Sequence, residues 1–144
     1  MTFASRLTRC PIPFEPERGA DAALPFADLA PELRALIAGT GGCSPYLSGL
    51  LTREAAWIAP ALCGTPETAL EAEFARLGDV ALDQLGPELR RAKRRVALLA
   101  GLADLGGVWP LETVTGALTR LGALAVDLAL KRLVADEIRR GKLP

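Results

Sequence analysis

The sequence has 144 residues, of which 50% are hydrophobic and 5% aromatic, and its 17 basic and 17 acidic side chains cancel to no net charge. This length suits one domain with its own core, and so few aromatic residues make that core mainly Leu, Ala and Val, which favours helices. The chain has no histidine, and its three cysteines (Cys10, Cys43 and Cys63) show no CxxC spacing. These features argue against a disulfide framework, an ordinary zinc site and histidine base catalysis, and no metal site is predicted.

The charges are unevenly distributed along the chain. Residues 1–86 hold six basic and eleven acidic side chains, and residues 87–144 hold eleven basic and six acidic ones. The asymmetry could steer an acidic partner to the second half or draw the two halves together. Arg6 and Arg9 lie where a secretory signal peptide would have its apolar segment. Asp127 and Lys131 interrupt the longest apolar stretch. We therefore predict no membrane contact and a cytoplasmic location.

The first 27 residues are rich in helix-breaking residues. They contain Pro11, Pro13, Pro16, Pro25 and Gly19. Proline lacks an amide hydrogen and clashes with the preceding turn of a helix, so a regular helix is not expected here. The sequence predicts an extended Pro-rich arm over residues 1–27, followed by a helical domain over residues 28–144.

Start and stop residues divide the next part of the chain into four short helices. They are a helix from an Asp28 cap to Gly39, one opened by Ser44-Pro45, one capped by Thr52, and one from Thr65-Pro66 to Gly78. The glycine-rich residues 40–43 are expected to form a flexible turn between the first two. Residues 80–85 are expected to form a short helical or turn segment, which Gly86-Pro87 ends before the next helix begins.

Two long helices are predicted after Gly86-Pro87. The first carries apolar residues at helical spacing from Leu89 to Ala103, and the second runs from Pro110 to Arg140 with Gly141 as its cap. A short Gly106-Gly107 turn joins them, so they should pack antiparallel. No alternating β-branched run occurs. We therefore predict an all-α helical bundle with two long antiparallel C-terminal helices and several short N-terminal ones.

The final helix is apolar on more than one side. A broad arc from Leu111 through Leu118 to Ala129 faces the core, but four further apolar residues fall outside it. These residues are Val126, Leu130, Leu133 and Val134. A helix apolar nearly all round needs a second packing partner, and nothing in the chain supplies one. The pattern predicts a fragment of a larger protein.

The densest positive charge lies on the first long helix. It consists of Arg90, Arg91, Lys93, Arg94 and Arg95, opposite the predicted core side. Such a cluster could bind phosphate, nucleotide or an acidic protein, or it could be a solvated helix face that serves solubility. The absence of interleaved aromatic residues and of net charge argues against nucleic acid.

Two stretches resemble a known family. Ser44-Pro45-Tyr46-Leu47, followed by Leu50-Leu51 and Trp57-Ile58, is similar to an early segment of bacterial glutamine synthetase adenylyltransferases, which are bifunctional adenylylating and deadenylylating enzymes. The run Leu89–Arg95 and the stretch Trp109–Lys131 resemble the Arg-rich helix and the helix that precedes their first catalytic core. The resemblance covers roughly residues 40–144 in order.

The resemblance implies a role within a larger enzyme. In that family the N-terminal half removes AMP from a tyrosine of glutamine synthetase by phosphorolysis, and the C-terminal half adds it from ATP with Mg²⁺. Glutamine and a PII-type signalling protein set the balance. This chain would be the helical region before the first nucleotidyltransferase core, structural or substrate-orienting and inactive alone. The four apolar residues outside the core arc of its final helix would lie against that core. The glycine-serine and Asp-x-Asp motifs are absent, so no catalytic residue is predicted, and this fragment needs no cofactor.

Two alternatives from other classes remain open on the sequence. One is a free-standing helical adaptor that only binds protein. The other is a small helical domain that binds nucleic acid through the basic helix.

Overall fold

Prolines and capping side chains start several helices in the computed structural model, which describes residues 1–144. Pro16, Pro31, Pro45 and Pro66 each occupy a first helical position, where a missing amide hydrogen costs no intrahelical bond. The seven α-helices are α1 (Pro16–Ala23), α2 (Pro31–Cys43), α3 (Pro45–Arg53), α4 (Ala55–Cys63), α5 (Pro66–Gly78), α6 (Leu82–Leu105) and α7 (Leu111–Arg139). There is no strand, which confirms the all-α prediction.

The two predicted cap residues that precede prolines cap their helices. The Ser44 hydroxyl accepts a hydrogen bond from the Leu47 amide at 3.1 Å. The Thr65 hydroxyl accepts one from the Thr68 amide at 3.2 Å. Each satisfies an amide that has no acceptor inside its helix.

The prediction of an extended arm over residues 1–27 is wrong for its second half. Pro16 starts α1, and Pro25 lies in a 3-10 turn just after that helix ends, so these prolines delimit a helix instead of preventing one. Phe3 and Phe26 are buried in the core. The segment is therefore packed into the helical domain along α2.

Helix α2 is longer than predicted at its C-terminal end and starts later. It begins at Pro31 instead of following Asp28, and it continues past Gly39 to Cys43, through the residues expected to form a flexible turn. The glycines serve close packing. A Cβ atom on Gly39 would lie 2.0 Å from the carbonyl oxygen of Pro11, and one on Gly42 would lie 2.4 Å from the Cβ of Pro13. Glycine is the residue that lets the N-terminal segment approach this closely.

Two other predicted boundaries are also wrong. Thr52 does not cap a helix, because it lies inside α3, where its hydroxyl donates to the Ser48 carbonyl oxygen at 3.3 Å. Gly86 and Pro87 do not interrupt the chain, since both lie within α6. A proline in the second turn removes one backbone hydrogen bond, and the buried Leu85 side chain holds the first turn against the core.

The two long helices α6 and α7 pack antiparallel, as predicted. Arg132, late in α7, donates to the carbonyl oxygens of Val80 at 3.2 Å and Gly78 at 2.7 Å, just before α6 begins. At its end, Gly141 adopts φ +74°. The Lys142 amide then bonds the Glu137 carbonyl oxygen, 3.0 Å away, which closes α7 as expected for a left-handed glycine cap.

Part of the predicted core arc of α7 faces solvent. Ala117, Leu121 and Leu128 are buried as predicted, but Leu111 is 69% exposed and Leu118 is 43% exposed. Only α5 and α6 pack closely along α7, so they cover a narrower stripe than the apolar arc of the sequence. The helix therefore presents more apolar surface to solvent than its pattern indicated.

Candidate functional site

The basic cluster of α6 borders two different surface depressions. Arg90 and Lys93 border an apolar groove of about 440 Å³ between α6 and α7, and no ion pair engages either side chain. Arg91, Arg94 and Arg95 line an open cleft beside α4. At about 100° per residue the five side chains spread over about 200° of the helix, so the structure brings together only Arg91, Arg94 and Arg95, and ligand binding by the cluster stays a prediction.

Arg95 links two buried carboxylates. Its Nε donates to Glu54 Oε1 at 2.9 Å and its Nη1 donates to Glu73 Oε2 at 3.0 Å. The side chains of Glu54 and Glu73 are only 7% and 1% exposed. Arg95 also stacks over the Trp57 ring, 5.4 Å from its centroid. This guanidinium is therefore part of the protein interior and is not a free surface charge.

Other arginines complete the ion-pair network. Arg94 Nε donates to Glu54 Oε2 at 3.2 Å. Arg76 Nη2 lies 2.5 Å from Glu73 Oε1, and its other terminal nitrogen bonds Glu88. The Arg76 hydrogen bond holds the pKa of Glu88 below its usual value, and the charges of Arg76, Arg91 and Arg95 act in the same direction. Each buried carboxylate thus has two arginine partners.

The network was missed by the sequence interpretation, although one of its members had a visible signal. Glu73 lies three residues after Leu70 and four before Leu77, so it shares the buried stripe of α5. A carboxylate on such a stripe requires a cationic partner. Glu54 gave no comparable signal. Charge reversal at Arg95 would place a third carboxylate against Glu54 and Glu73 and would destabilise the fold. Such a variant would therefore report on stability and not on ligand binding.

The four apolar residues outside the predicted core arc of α7, called the α7 apolar face, are all exposed. The exposed fractions are 69% for Val126, 62% for Leu130, 55% for Leu133 and 40% for Val134. Ile138, one turn after Val134, is 48% exposed. Exposed apolar side chains at successive turns of one helix are typical of a surface that contacts another protein or a membrane. That a catalytic core of the same enzyme covers this face is a prediction from the sequence.

By length and composition alone, α7 could cross a membrane. Only 17% of its most hydropathic 18-residue window is buried. This is weak evidence, because core helices of soluble proteins meet the same criteria. Asp127 and Lys131 in this helix form an ion pair at 3.0 Å. The absence of membrane contact stays a prediction.

A second polar cluster joins the N-terminus to the start of α7. Glu67 accepts hydrogen bonds from Arg6 at 2.7 Å and from the Trp109 indole at 2.8 Å. The Arg6 hydrogen bond is the main reason that the pKa of Glu67 falls to about 2, with the indole contributing and desolvation opposing. This cluster fixes the position of Trp109.

We predict that this cluster loses its contribution to stability in acid. Because the folded-state pKa of Glu67 is depressed to about 2, its stabilisation is present above the unfolded value and is lost as the pH falls from about 5 to 2. The carboxylate is half exposed, so solvent screening limits the effect to about 1 kcal/mol or less. Urea unfolding of the wild type and Glu67→Gln from pH 7 to 3 measures it, and a constant difference between the two proteins across that range would contradict the prediction.

The cysteines and the possible metal ligands are the remaining candidate functional residues. All three cysteines are exposed and free. The structure brings together no group of three or more His, Cys, Asp or Glu side chains that could hold a metal. The Mg²⁺ that the resemblance implies for the whole enzyme stays a prediction.

The fold and its surfaces define a class of protein: a helical domain whose charged interior is internally paired and whose last helix leaves an apolar face uncovered. A family model described as glutamate-ammonia ligase adenylyltransferase matches residues 35–144. The chain belongs to this family. No solved structure matches it.

Curated relatives agree with this assignment. The chain is similar to bifunctional glutamine synthetase adenylyltransferase/adenylyl-removing enzymes of several bacteria. It is 35% identical over 129 residues to one from Rhodopseudomonas palustris, covering 86% of this chain and 13% of the relative. It is 34% identical over 152 residues to one from Caulobacter vibrioides, covering 98% and 15%. The chain thus spans about one seventh of the length of these relatives.

Proposed function

We propose that this chain is the helical segment preceding the first nucleotidyltransferase core in the deadenylylase half of a glutamine synthetase adenylyltransferase. Such an enzyme controls glutamine synthetase by reversible adenylylation of a tyrosine. The segment itself is structural or substrate-orienting and does not catalyse adenylyl transfer alone. In the whole enzyme, the partners would include glutamine synthetase and a PII-type signalling protein, and ATP and Mg²⁺ would act at the catalytic cores.

The observation that carries the proposal is the family match combined with the uncovered α7 apolar face. The match extends through residue 144 and therefore includes that face. Residues such as Leu130 and Leu133 are more than half exposed. Each would contribute about 1.5–3 kcal/mol if fully buried against a neighbouring domain. A nucleotidyltransferase core of the same enzyme is the occupant we propose.

Polar substitution of the α7 apolar face is expected to abolish binding to that core. The triple variant Leu130→Ser, Leu133→Ser and Val134→Ser should bind the first nucleotidyltransferase domain of the Caulobacter relative at least 100-fold more weakly than the wild-type chain does. Isothermal titration calorimetry measures the change. The loss of about 3 kcal/mol of apolar burial is sufficient for this factor.

A matched control lies on the same helix. Leu111 is as exposed as Val126, at 69% each, but it lies at the opposite end of α7. Leu111→Ser should leave binding unchanged, and circular dichroism should show that both variants remain helical. Equal loss in both variants, or full binding by the triple variant, would reject the α7 apolar face as the domain contact.

Deleting the equivalent segment from a whole enzyme tests whether this chain belongs to the deadenylylase half. In the Caulobacter relative, removing the segment equivalent to this chain should abolish phosphate-dependent release of AMP from adenylylated glutamine synthetase. Adenylylation with ATP and Mg²⁺ should persist. Replacing the segment by this chain should restore release, whereas this chain alone should show neither activity. Loss of adenylylation with retained AMP release would assign the segment to the other half.

The adaptor alternative is distinguished by the same experiments. A stand-alone adaptor would not bind the nucleotidyltransferase domain and would not restore AMP release to the deletion variant. Nucleic-acid binding is disfavoured, since the chain has no net charge and no aromatic residues interleaved with its basic cluster. A salt titration with duplex and single-stranded DNA tests it directly, because phosphate contacts make binding fall steeply with salt.

A further inference from the structure

The cleft between α4 and α6 concentrates positive charge at one concave place. It measures about 450 Å³ and is lined by four arginines (Arg53, Arg91, Arg94 and Arg95) and one carboxylate, that of Glu54. Arg53 comes from the end of α3, so three helices contribute to the cleft. With Arg76, these arginines number five, and they contact three carboxylates, those of Glu54, Glu73 and Glu88, so two positive charges remain in excess.

Several of these guanidinium groups have unused donors. Arg53 forms no hydrogen bond or ion pair in the structure. Arg94 uses only its Nε, which bonds Glu54 at 3.2 Å, so both of its Nη groups are free. Arg91 makes one ion pair, to Glu88 at 3.3 Å. The single negative charge of Glu54 is shared by Arg94 and Arg95, so it offsets only one of these two positive charges.

Two further features favour an oxyanion over other ligands. Ala56, in the first turn of α4, lines the cleft. Amide hydrogens in a first helical turn lack acceptors within the helix and carry a partial positive charge. The Arg95 guanidinium is held rigidly by Glu54, Glu73 and the Trp57 ring, so one wall of the cleft is fixed before any ligand arrives.

We propose that this cleft is a binding site for a phosphate group, held by Arg53, Arg91 and Arg94 against the first turn of α4. Arginine guanidinium groups pair bidentately with the oxygens of phosphate, and several of them around one concave site suit a doubly charged tetrahedral anion. The site is independent of the α7 apolar face, and the inference does not rest on the proposed function.

The test uses the wild-type chain and inorganic phosphate at an ionic strength matched with potassium chloride. Calorimetry should show saturable phosphate binding, and phosphate should raise the melting temperature more than chloride does. The double variant Arg53→Ala and Arg91→Ala should bind at least tenfold more weakly. Arg90→Ala, which does not line the cleft, should bind like the wild type. Equal stabilisation by chloride, or equal loss in Arg90→Ala, would overturn the proposal.

Parallel titrations identify the source of the phosphate group. Tighter binding of AMP than of inorganic phosphate would indicate a nucleotide, and the reverse would indicate the free ion; both support the site. Adenosine should not bind, and sodium glutamate should not match phosphate. Binding of adenosine equal to AMP, or of glutamate equal to phosphate, would contradict a phosphate site.

Nuclear magnetic resonance provides a readout in the folded wild type. Phosphate should shift the indole N–H resonance of Trp57, which lines the cleft. The indole of Trp109 bonds Glu67 at 2.8 Å in the other polar cluster and should not move. Equal shifts of both resonances, or no shift at Trp57, would count against the site even if the variants failed to fold.

Discussion

Replacing Arg95 with methionine is expected to lower the free energy of unfolding by about 3 kcal/mol. Arg95 is the residue that bonds both Glu54 and Glu73, whose side chains are 7% and 1% exposed. Removing one partner of a buried ion pair leaves charge without compensation and costs roughly 3–5 kcal/mol. The lower figure applies because Arg94 and Arg76 still reach one carboxylate each. Urea denaturation followed by circular dichroism measures the loss.

Arg90→Met is the matched control. Arg90 lies on the same helix and is exposed, and no hydrogen bond or ion pair engages it. Its replacement should change the free energy of unfolding by no more than about 0.5 kcal/mol. Adding Glu73→Gln to Arg95→Met should recover part of the loss, because a neutral amide is less costly to bury than a carboxylate. A loss below about 1 kcal/mol for Arg95→Met would contradict the assigned role of the network.

Gly39→Ala is expected to destabilise the protein by about 3 kcal/mol, at the upper end of overpacking effects. The new methyl group would lie 2.0 Å from the Pro11 carbonyl oxygen, and a backbone atom cannot move aside as a flexible side chain can. The N-terminal segment would have to separate from α2. Thermal and urea unfolding should both show the loss, and protease cleavage before residue 16 should become faster.

Gly49→Ala is the opposite case within the same protein. Gly49 lies inside α3, and nothing lies within 4 Å of a Cβ added there. Alanine should therefore stabilise the helix by about 0.5–1 kcal/mol through lower backbone entropy. If both substitutions changed stability in the same direction, close packing would not explain the glycines of α2.

Some boundaries were predictable because their causes lie within one turn of helix. Ser44 and Thr65 reach amides only three residues away. Gly141 ends α7 through its own positive φ. The antiparallel pair of long helices followed from their apolar periodicity and a short connection. The resemblance to the adenylyltransferases, based on residues 40–144, agrees with the family match over residues 35–144.

Other features depended on residues that are distant in sequence. Gly39 was expected to end a helix, but its role comes from Pro11, which approaches it from outside that helix. The prolines before residue 27 were expected to prevent helix formation, yet Pro16 starts α1. A glycine or proline pattern alone does not distinguish a helix end from a close contact, because both require the same residue types.

The sequence by itself determined the helical class, several helix starts and the apolar excess of the last helix, because caps and periodicity act over three or four residues. Only the tertiary structure decided what the charges do. Arg95 meets Glu73, 22 positions away, and Glu54, 41 positions away. Periodicity placed this arginine among surface charges, but burial of its partners in a medium of low dielectric makes it an interior residue. The folded arrangement of α4, α5 and α6 creates that environment.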